Sequence, residues 1–317
     1  MSQALFGGLV SSACSRNTNM RQSFVFGAIG GSLPDLDAWA GAVVGPLQER
    51  LWHRGPTHSL LVLGCVGLCI WATDKRLTSA WTQKLKYLWF GAFTHPLLDI
   101  LTGFETSWGY PLFEPSALGW FPVMEPVSLI ILLIASVGCL LGRQRRLARA
   151  GLLGLGLWVG MIGSHHRWVF SLVSDVEAPD NTVERVVVRP MLASFLTYRV
   201  VWMGASDCYV AGLQPLNGSF RWSGVTKLAR VVASSDFPNK LLEQGCFIEV
   251  NEREIGDLRF ALTPESPSPL WLWSKTDSEW IRRAERQLSP ELKAKFLNLW
   301  RGERQVGWTS TPRLVEP

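Results

Sequence analysis

The sequence predicts an α-helical membrane domain of about five spans, residues 1–170, followed by a β-rich α+β soluble domain, residues 171–317. Three observations predict it. Hydrophobic residues make up 47% of the 317 residues and charged residues only 18%, the mixture expected of a membrane part joined to a soluble part. The long apolar runs fall before residue 171, and the short β-branched and aromatic segments fall after it. Trp is abundant, at 16 residues, and its ring suits a membrane interface, where one end stays wet.

The expected spans follow in order. Residues 23–33, "SFVFGAIGGSL", either join the apolar start of the chain as a first span or form a pair of half-buried helices. Residues 58–73, 86–102, 123–141 and 150–170 supply the others, each close to the twenty or so apolar residues a bilayer needs. No cleavable signal peptide is expected in "ALFGGLV" and the residues after it. Arg16 and Arg21 precede the first span, Lys75, Arg76, Lys84 and Lys86 lie between the second and third, and Arg143, Arg145, Arg146 and Arg149 lie between the fourth and fifth. Positive charge marks the cytoplasmic side. The loops at 34–57 and 103–122, and everything after about residue 171, are then expected outside. The net charge of +5 is read the same way: runs such as "GRQRRLAR" beside apolar segments anchor spans, and no nucleic-acid partner is expected.

Beyond residue 171, "VERVVVRP", "FLTYRVVWMG", "DCYVAGLQPL" and "GCFIEVNE" read as strands. "SPELKAKFLNLWRGE" reads as a terminal helix, with Ser289 as N-cap and Pro290 in its first turn. Cys14, Cys65, Cys69 and Cys139 read as small core residues. Cys208 and Cys246 pair if their half of the chain faces an oxidising compartment.

Three short motifs carry the chemistry. "LPDLD" presents Asp35 and Asp37, "HRGPTHS" presents His53 and His58, and "THPLLDILT" presents His95 and Asp99. Each alone has a plain explanation: a capped turn, interfacial residues, a satisfied core histidine. Together they are harder to dismiss. Residues i and i+4 share a helix face, so His95 and Asp99 enter one volume. A carboxylate within an apolar run usually has a partner and a task. The expected topology brings all six residues to one membrane face, and three of the chain's five histidines are among them. Such a set suits a divalent metal, Zn²⁺ first and Mn²⁺ or Fe²⁺ next, as one ion or two. Leftover carboxylates, Asp37 among them, act as general base or orient a histidine. Arg54 either holds an anionic substrate group or anchors the interface. Thr57 and Ser59 read as helix caps rather than nucleophiles. Glu125, in "VMEPVSLI", is a weaker catalytic candidate. His165 and His166, in "SHHRW", read as an interfacial cluster with Trp168 rather than a second metal site.

"GAIGGSLPDLD", "HRGPTHSLL", "THPLLDILT" and the following "EP" together resemble the membrane-bound metal-dependent hydrolases, also described as LexA-binding, inner-membrane-associated hydrolases. Order and spacing match over residues 3–140. The segment "VERVVVRPMLASFLTYRVVW" resembles a bacterial subgroup with a C-terminal extracytoplasmic region. The resemblance implies a bacterial inner-membrane protein with a periplasmic or extracellular C-terminal domain. It also implies metal ligands at Asp35, Asp37, His53, His58, His95 and Asp99, and a distant likeness to zinc-dependent phospholipase C. The chain departs in two places: Gln3 stands where some members have a histidine, and Glu125-Pro126 stands where Asp-Pro is expected.

The leading expectation is a membrane-embedded metal-dependent hydrolase acting at the outer face on a lipid phosphodiester or ester, with membrane lipids as its surroundings. The alternatives are a non-enzymatic membrane protein with a structural metal and a partner-binding C-terminal domain, and a metal or proton transporter using His95 and Asp99.

Overall fold

Glycine decides how the first helices meet. The structure, a computed structural model, describes residues 1–15, 19–40, 53–72, 79–122, 125–142, 144–191, 194–216, 219–231, 242, 245–251, 254–260, 271–275, 280–284 and 313–315. The chain divides into two units, residues 1–119 with 125–164, and residues 120–124 with 165–317. The changeover between the units falls inside a helix, at residues 164 and 165. The terminal helix expected around Ser289 lies outside the described residues, as do Arg16, Lys75, Arg76 and Arg143.

The first unit contains helices α1 (Ser2–Cys14), α2 (Met20–Ser32), α3 (Leu60–Ala72), α4 (Ser79–Asp99) and α5 (Pro126–Gly142), and the start of α6 (Arg145–Ser174). Two 3-10 helices, Pro34–Ala40 and Pro56–His58, carry the first two motifs. Local chemistry sets the helix starts. Asn19 accepts from the backbone N–H of Gln22 at 3.1 Å and caps α2. Ser59 accepts from Val62 N–H at 3.3 Å and caps α3. Both satisfy first-turn donors that have no partner within the helix.

Backbones of α1, α2 and α4 approach too closely for side chains. A Cβ added to Gly91 would lie 2.0 Å from the Gly27 carbonyl oxygen, and one on Gly31 would lie 2.4 Å from that of Gln3. Gly27 and Gly31 stand four apart on one helix face, the small-residue spacing that permits such contact. Leu9, Phe24, Leu132, Ala135 and Leu155 pack beside this seam and join α5 and α6 to it.

The number of spans is corrected. Among the described residues, α6 is the one helix long and apolar enough to cross a membrane, against the five or so expected. Its 30 residues reach about 45 Å at 1.5 Å per residue. The apolar runs at α3 and α5 give helices of 13 and 17 residues, below the twenty or so typical of a span. Helix α4 has 21 residues but carries Lys84, Lys86, His95 and Asp99. The apolar start and residues 23–33 form two separate helices of 13 residues each. Cys14, Cys65 and Cys69 are exposed, and only Cys139 of that group is buried.

The second unit begins within α6 and is built from two sheets. In the larger, β1 (Val183–Met191), β2 (Ser194–Gly204), β3 (Asp207–Leu216) and β5 (Gly224–Ala229) follow in spatial order, with β4 (Ser219–Trp222) also on β3. Its last member, β10 (Arg313–Val315), pairs parallel with β5. The smaller sheet is β6 (Phe247–Asn251), β7 (Glu254–Asp257), β8 (Trp271–Lys275) and β9 (Trp280–Ala284), all antiparallel. Alternation along β2 fixes the layers. Tyr198, Val200 and Trp202 pack with Val169 and Val173 of α6. Val201 and Met203, on the other face, pack with Ile248 and Leu258 of the smaller sheet's side. Cys208 and Cys246 form a disulfide.

Candidate metal centre

Four ligand-type residues meet at one end of the first unit. Asp35 comes from the first 3-10 helix, His58 from the end of the second, and His95 and Asp99 from the last turn and a half of α4. One potential ligand atom from each lies within 4.8 Å of the other three. His58 Nε2 is 3.6 Å from Asp35 Oδ1 and 3.4 Å from Asp99 Oδ2. His95 Nε2 is 3.2 Å from Asp35 Oδ1 and 3.4 Å from Asp99 Oδ2.

Those separations are informative. A tetrahedral ion with bonds of about 2.0–2.1 Å has ligand-to-ligand edges of about 3.3–3.4 Å. Four of the six edges here, at 3.2–3.6 Å, lie around that length. The three buried atoms, His58 Nε2, His95 Nε2 and Asp99 Oδ2, make no hydrogen bond although each faces opposite charge. A buried polar atom without a hydrogen bond is costly. These atoms aim at a shared point rather than at one another, which is how a ligand set is arranged. The residues present therefore fit a divalent cation.

The surroundings orient each ligand. His95 Nδ1 donates to the Gly31 carbonyl at 2.7 Å, so the neutral ring carries its free lone pair on Nε2. His58 Nδ1 lies 3.4 Å from Asp37 Oδ2 and 3.1 Å from Thr57 Oγ1, which likewise leaves Nε2 for the ion. Asp99 Oδ1 accepts from Gln3 Nε2 at 3.0 Å, and Arg54 Nε is 3.7 Å from Asp99 Oδ2. Asp35 is the open member: its side chain is 48% exposed, while those of His58 and His95 are fully buried. A site with one accessible edge admits a water or substrate.

The other sequence candidates lie around this group rather than in it. Asp37 Oδ1 pairs with His53 Nδ1 at 2.6 Å, and Thr57 donates to Asp37 Oδ2 at 2.5 Å. Asp37 thus spans His53 and His58. Arg54 holds a left-handed backbone, φ 65°, rare for a residue with a side chain. Its guanidinium donates toward Thr102 Oγ1, the Phe104 carbonyl and Thr106 Oγ1 at 3.3–3.5 Å, and its carbonyl accepts from Ser107 at 2.9 Å. The loop after α4 is thereby tied to the histidine loop. Glu125 stands apart: it accepts from the backbone N–H groups of Val127 and Ser128 and caps α5. In the second unit, His165 Nδ1 is 2.8 Å from Tyr198 Oη, and His166 Nε2 is 3.0 Å from the Val188 carbonyl.

Charge coupling dominates the titration of the group. Burial pushes Asp35 up, yet pairing with His58 and His95 holds its carboxyl well below the usual range. Asp37 follows the same course through burial, opposed by His53, His58 and Thr57. Burial also raises Asp99, but His95 and Arg54 prevail and lower it. For His58, burial lowers and Asp35 with Asp37 raises, with a net rise. Burial lowers His95 as well, but Asp35 and Asp99 carry it up to about 10.

Gln3 and the Gly31 carbonyl are contributors that motif reading missed, and Thr57, read as a helix cap, instead donates to Asp37 while Ser59 caps α3. Gln3 is read there only as an absent ligand; its amide instead fixes one oxygen of Asp99. A family model described as YdjM inner membrane protein matches residues 1–169. No curated protein matches, and no solved structure does.

Proposed function

The chain belongs to the YdjM inner membrane protein family, and from that premise we propose that its first unit is a metal-dependent hydrolase of amphipathic esters, lipid phosphodiesters first among them. One observation carries the reading: three buried, hydrogen-bond-free ligand atoms converge with a half-exposed carboxylate. A divalent ion, zinc by its donor set, supplies Lewis acidity and a more acidic water when bound there. His58, His95 and Asp99 hold it from the buried side, and Asp35 leaves an open edge. Asp37 keeps His58 in the ligating tautomer, and Arg54 and Gln3 fix Asp99. Thr57, exposed beside the cluster, donates a hydrogen bond to Asp37 and lies within reach of an incoming head group.

The three buried ligands match the catalytic pattern of three protein ligands, with the fourth, half-exposed position held by Asp35 open to exchange with water or substrate. An outer-face position has support too. Gln3, at one end of α1, bonds Asp99. At the other end, the Ala13 carbonyl accepts from Arg149 at 3.4 Å. The ligand cluster therefore lies about 15 Å of helix away from the arginines that open α6. Positive charge favours the cytoplasmic side, and the Cys208–Cys246 disulfide favours an oxidising compartment for the second unit.

The test is elemental analysis of detergent-purified protein beside hydrolysis of phosphodiester lipids. Wild type is expected to carry stoichiometric metal and to cleave; a His58→Ala/His95→Ala variant is expected to lose both. Stoichiometric metal in the double variant would remove the site. Metal without cleavage across an ester and phosphodiester panel would leave a structural role.

A further inference from the structure

An apolar groove of about 400 Å³ opens beside the metal centre, between α3 and α4. Its lining includes Pro34, Thr57 and Ala92. Pro34 adjoins Asp35, Thr57 adjoins His58, and Ala92 stands one turn before His95. Each of the three elements that supply ligands thus also lines the groove. From there Val66 and Ile70 on α3 and Leu88 and Trp89 on α4 line the walls. Because α3 leaves the site and α4 approaches it, the groove runs lengthwise away from the ligands.

Trp89 sets its shape. Its indole N–H donates to the Leu63 carbonyl at 2.6 Å. Gly67 makes room for the ring, since a Cβ there would meet it at 2.5 Å. With that donor used, and with the Thr57 hydroxyl given to Asp37, the lining presents a ligand with almost no polar partner. A peptide backbone or a sugar would lose its hydrogen bonds there. A hydrocarbon chain would lose none.

We propose that this groove holds the acyl chain of the substrate, so that a single-chain amphiphile lies along α3 with its ester or phosphodiester at the metal centre. This deepens the hydrolase reading and rests on it for the fate of the head group. Val62 to Ile70 covers about 12 Å of helix, which an extended chain of roughly ten carbons spans at about 1.25 Å per bond. Binding gains about twofold to fourfold per methylene up to that length, from the transfer of each methylene out of water in an open groove. Beyond it the gain stops.

The experiment uses full-length protein in detergent and a lysophospholipid bearing a diazirine at the chain end, with adducts mapped by mass spectrometry and metal content measured in parallel. Val66 is 46% exposed, so Val66→Trp fills the groove without removing core packing, and Val66→Ala leaves it open. The expected result is adducts concentrated on the groove residues of α3 and α4 in wild type and Val66→Ala. In Val66→Trp they fall about tenfold, the loss of two methylenes' worth of contact, with metal content unchanged. Adducts spread equally over outward residues such as Leu141, Leu153 and Leu157, or undiminished in Val66→Trp, would overturn the inference. The two readings separate cleanly. Groove adducts without any cleavage retain the chain site and reject the hydrolase. Cleavage that is indifferent to chain length and to Val66→Trp retains the hydrolase and rejects the chain site.

Discussion

Asp99 and Asp257 are both buried carboxylates, 1% and 6% exposed, and they keep different company. Asp257 is closed on itself: Arg259 donates through Nε at 3.0 Å, Nη2 at 2.7 Å and its own backbone N–H at 3.0 Å. Asp99 has one oxygen fixed by Gln3, while the other faces His58, His95 and Arg54 at 3.4–3.7 Å without a hydrogen bond. Equal burial, then, does not mean equal purpose. Aligned charges complete one another and hold a fold. Convergent but misaligned charges are completed by something else.

The largest effect that sharpens this contrast is expected from Asp257→Ala. It leaves a guanidinium buried without its carboxylate and costs about 3–5 kcal/mol, seen as a lower urea midpoint whether or not zinc is present. Asp99→Asn should behave oppositely. With the proposed site occupied, zinc at a hundred times its Kd should stabilise wild type by about 2.7 kcal/mol; the variant should show no zinc-dependent rise in Tm. A zinc response retained in Asp99→Asn would break the comparison. Asp37→Asn acts one step further out. It should weaken metal binding about tenfold to a hundredfold, the usual effect of losing a residue that orients a histidine ligand, while a saturating titration still reaches full stoichiometry.

Acidity separates the pairs as well. His95 is carried up to about 10 in the metal-free protein, and a ligating nitrogen must shed its proton. Metal affinity should therefore fall as pH falls from about 9 to 6, by about tenfold per unit for each proton released, measured by competition with a zinc chelator. Asp257 is lowered, burial being outweighed by Arg259 and Arg189. Its stabilisation is complete above the unfolded-state value of about 3.9 and is lost only as pH falls through the lower folded value. The contribution of Asp257 to the urea midpoint of the metal-free protein, read as wild type against Asp257→Ala, should not change between pH 6 and 9. The smallest effect is expected from Glu125→Ala, about 1 kcal/mol for a lost helix cap, with metal content untouched.

The cluster was legible in the sequence because its spacing is local. His95 and Asp99 share a helix face by counting, and Asp35 and His58 sit in short turns whose Pro and Gly advertise them. The division of labour was not legible. Six residues look alike as candidates, and only three-dimensional geometry separates Asp35, His58, His95 and Asp99 from Asp37 and His53, which stand behind them. Gln3 lies 96 residues from Asp99, a distance no motif spans. The strands at 183–191, 194–204 and 207–216 were readable from β-branched runs. The count of spans was not, because hydropathy reports how apolar a run is. It does not report that the apolar start and residues 23–33 form two helices of 13 residues each rather than one span.

The Gly31 carbonyl that orients His95 belongs to the same residue that lets α2 lie against α1. A methyl group at position 31 would meet the Gln3 backbone and shift α2 away from its neighbours. The hydrogen bond to His95 would stretch with it, and so would the contact between Gln3 and Asp99. The candidate site is hostage to the fit of two helices: a substitution that removes no donor and no charge would still pull its ligand atoms out of place.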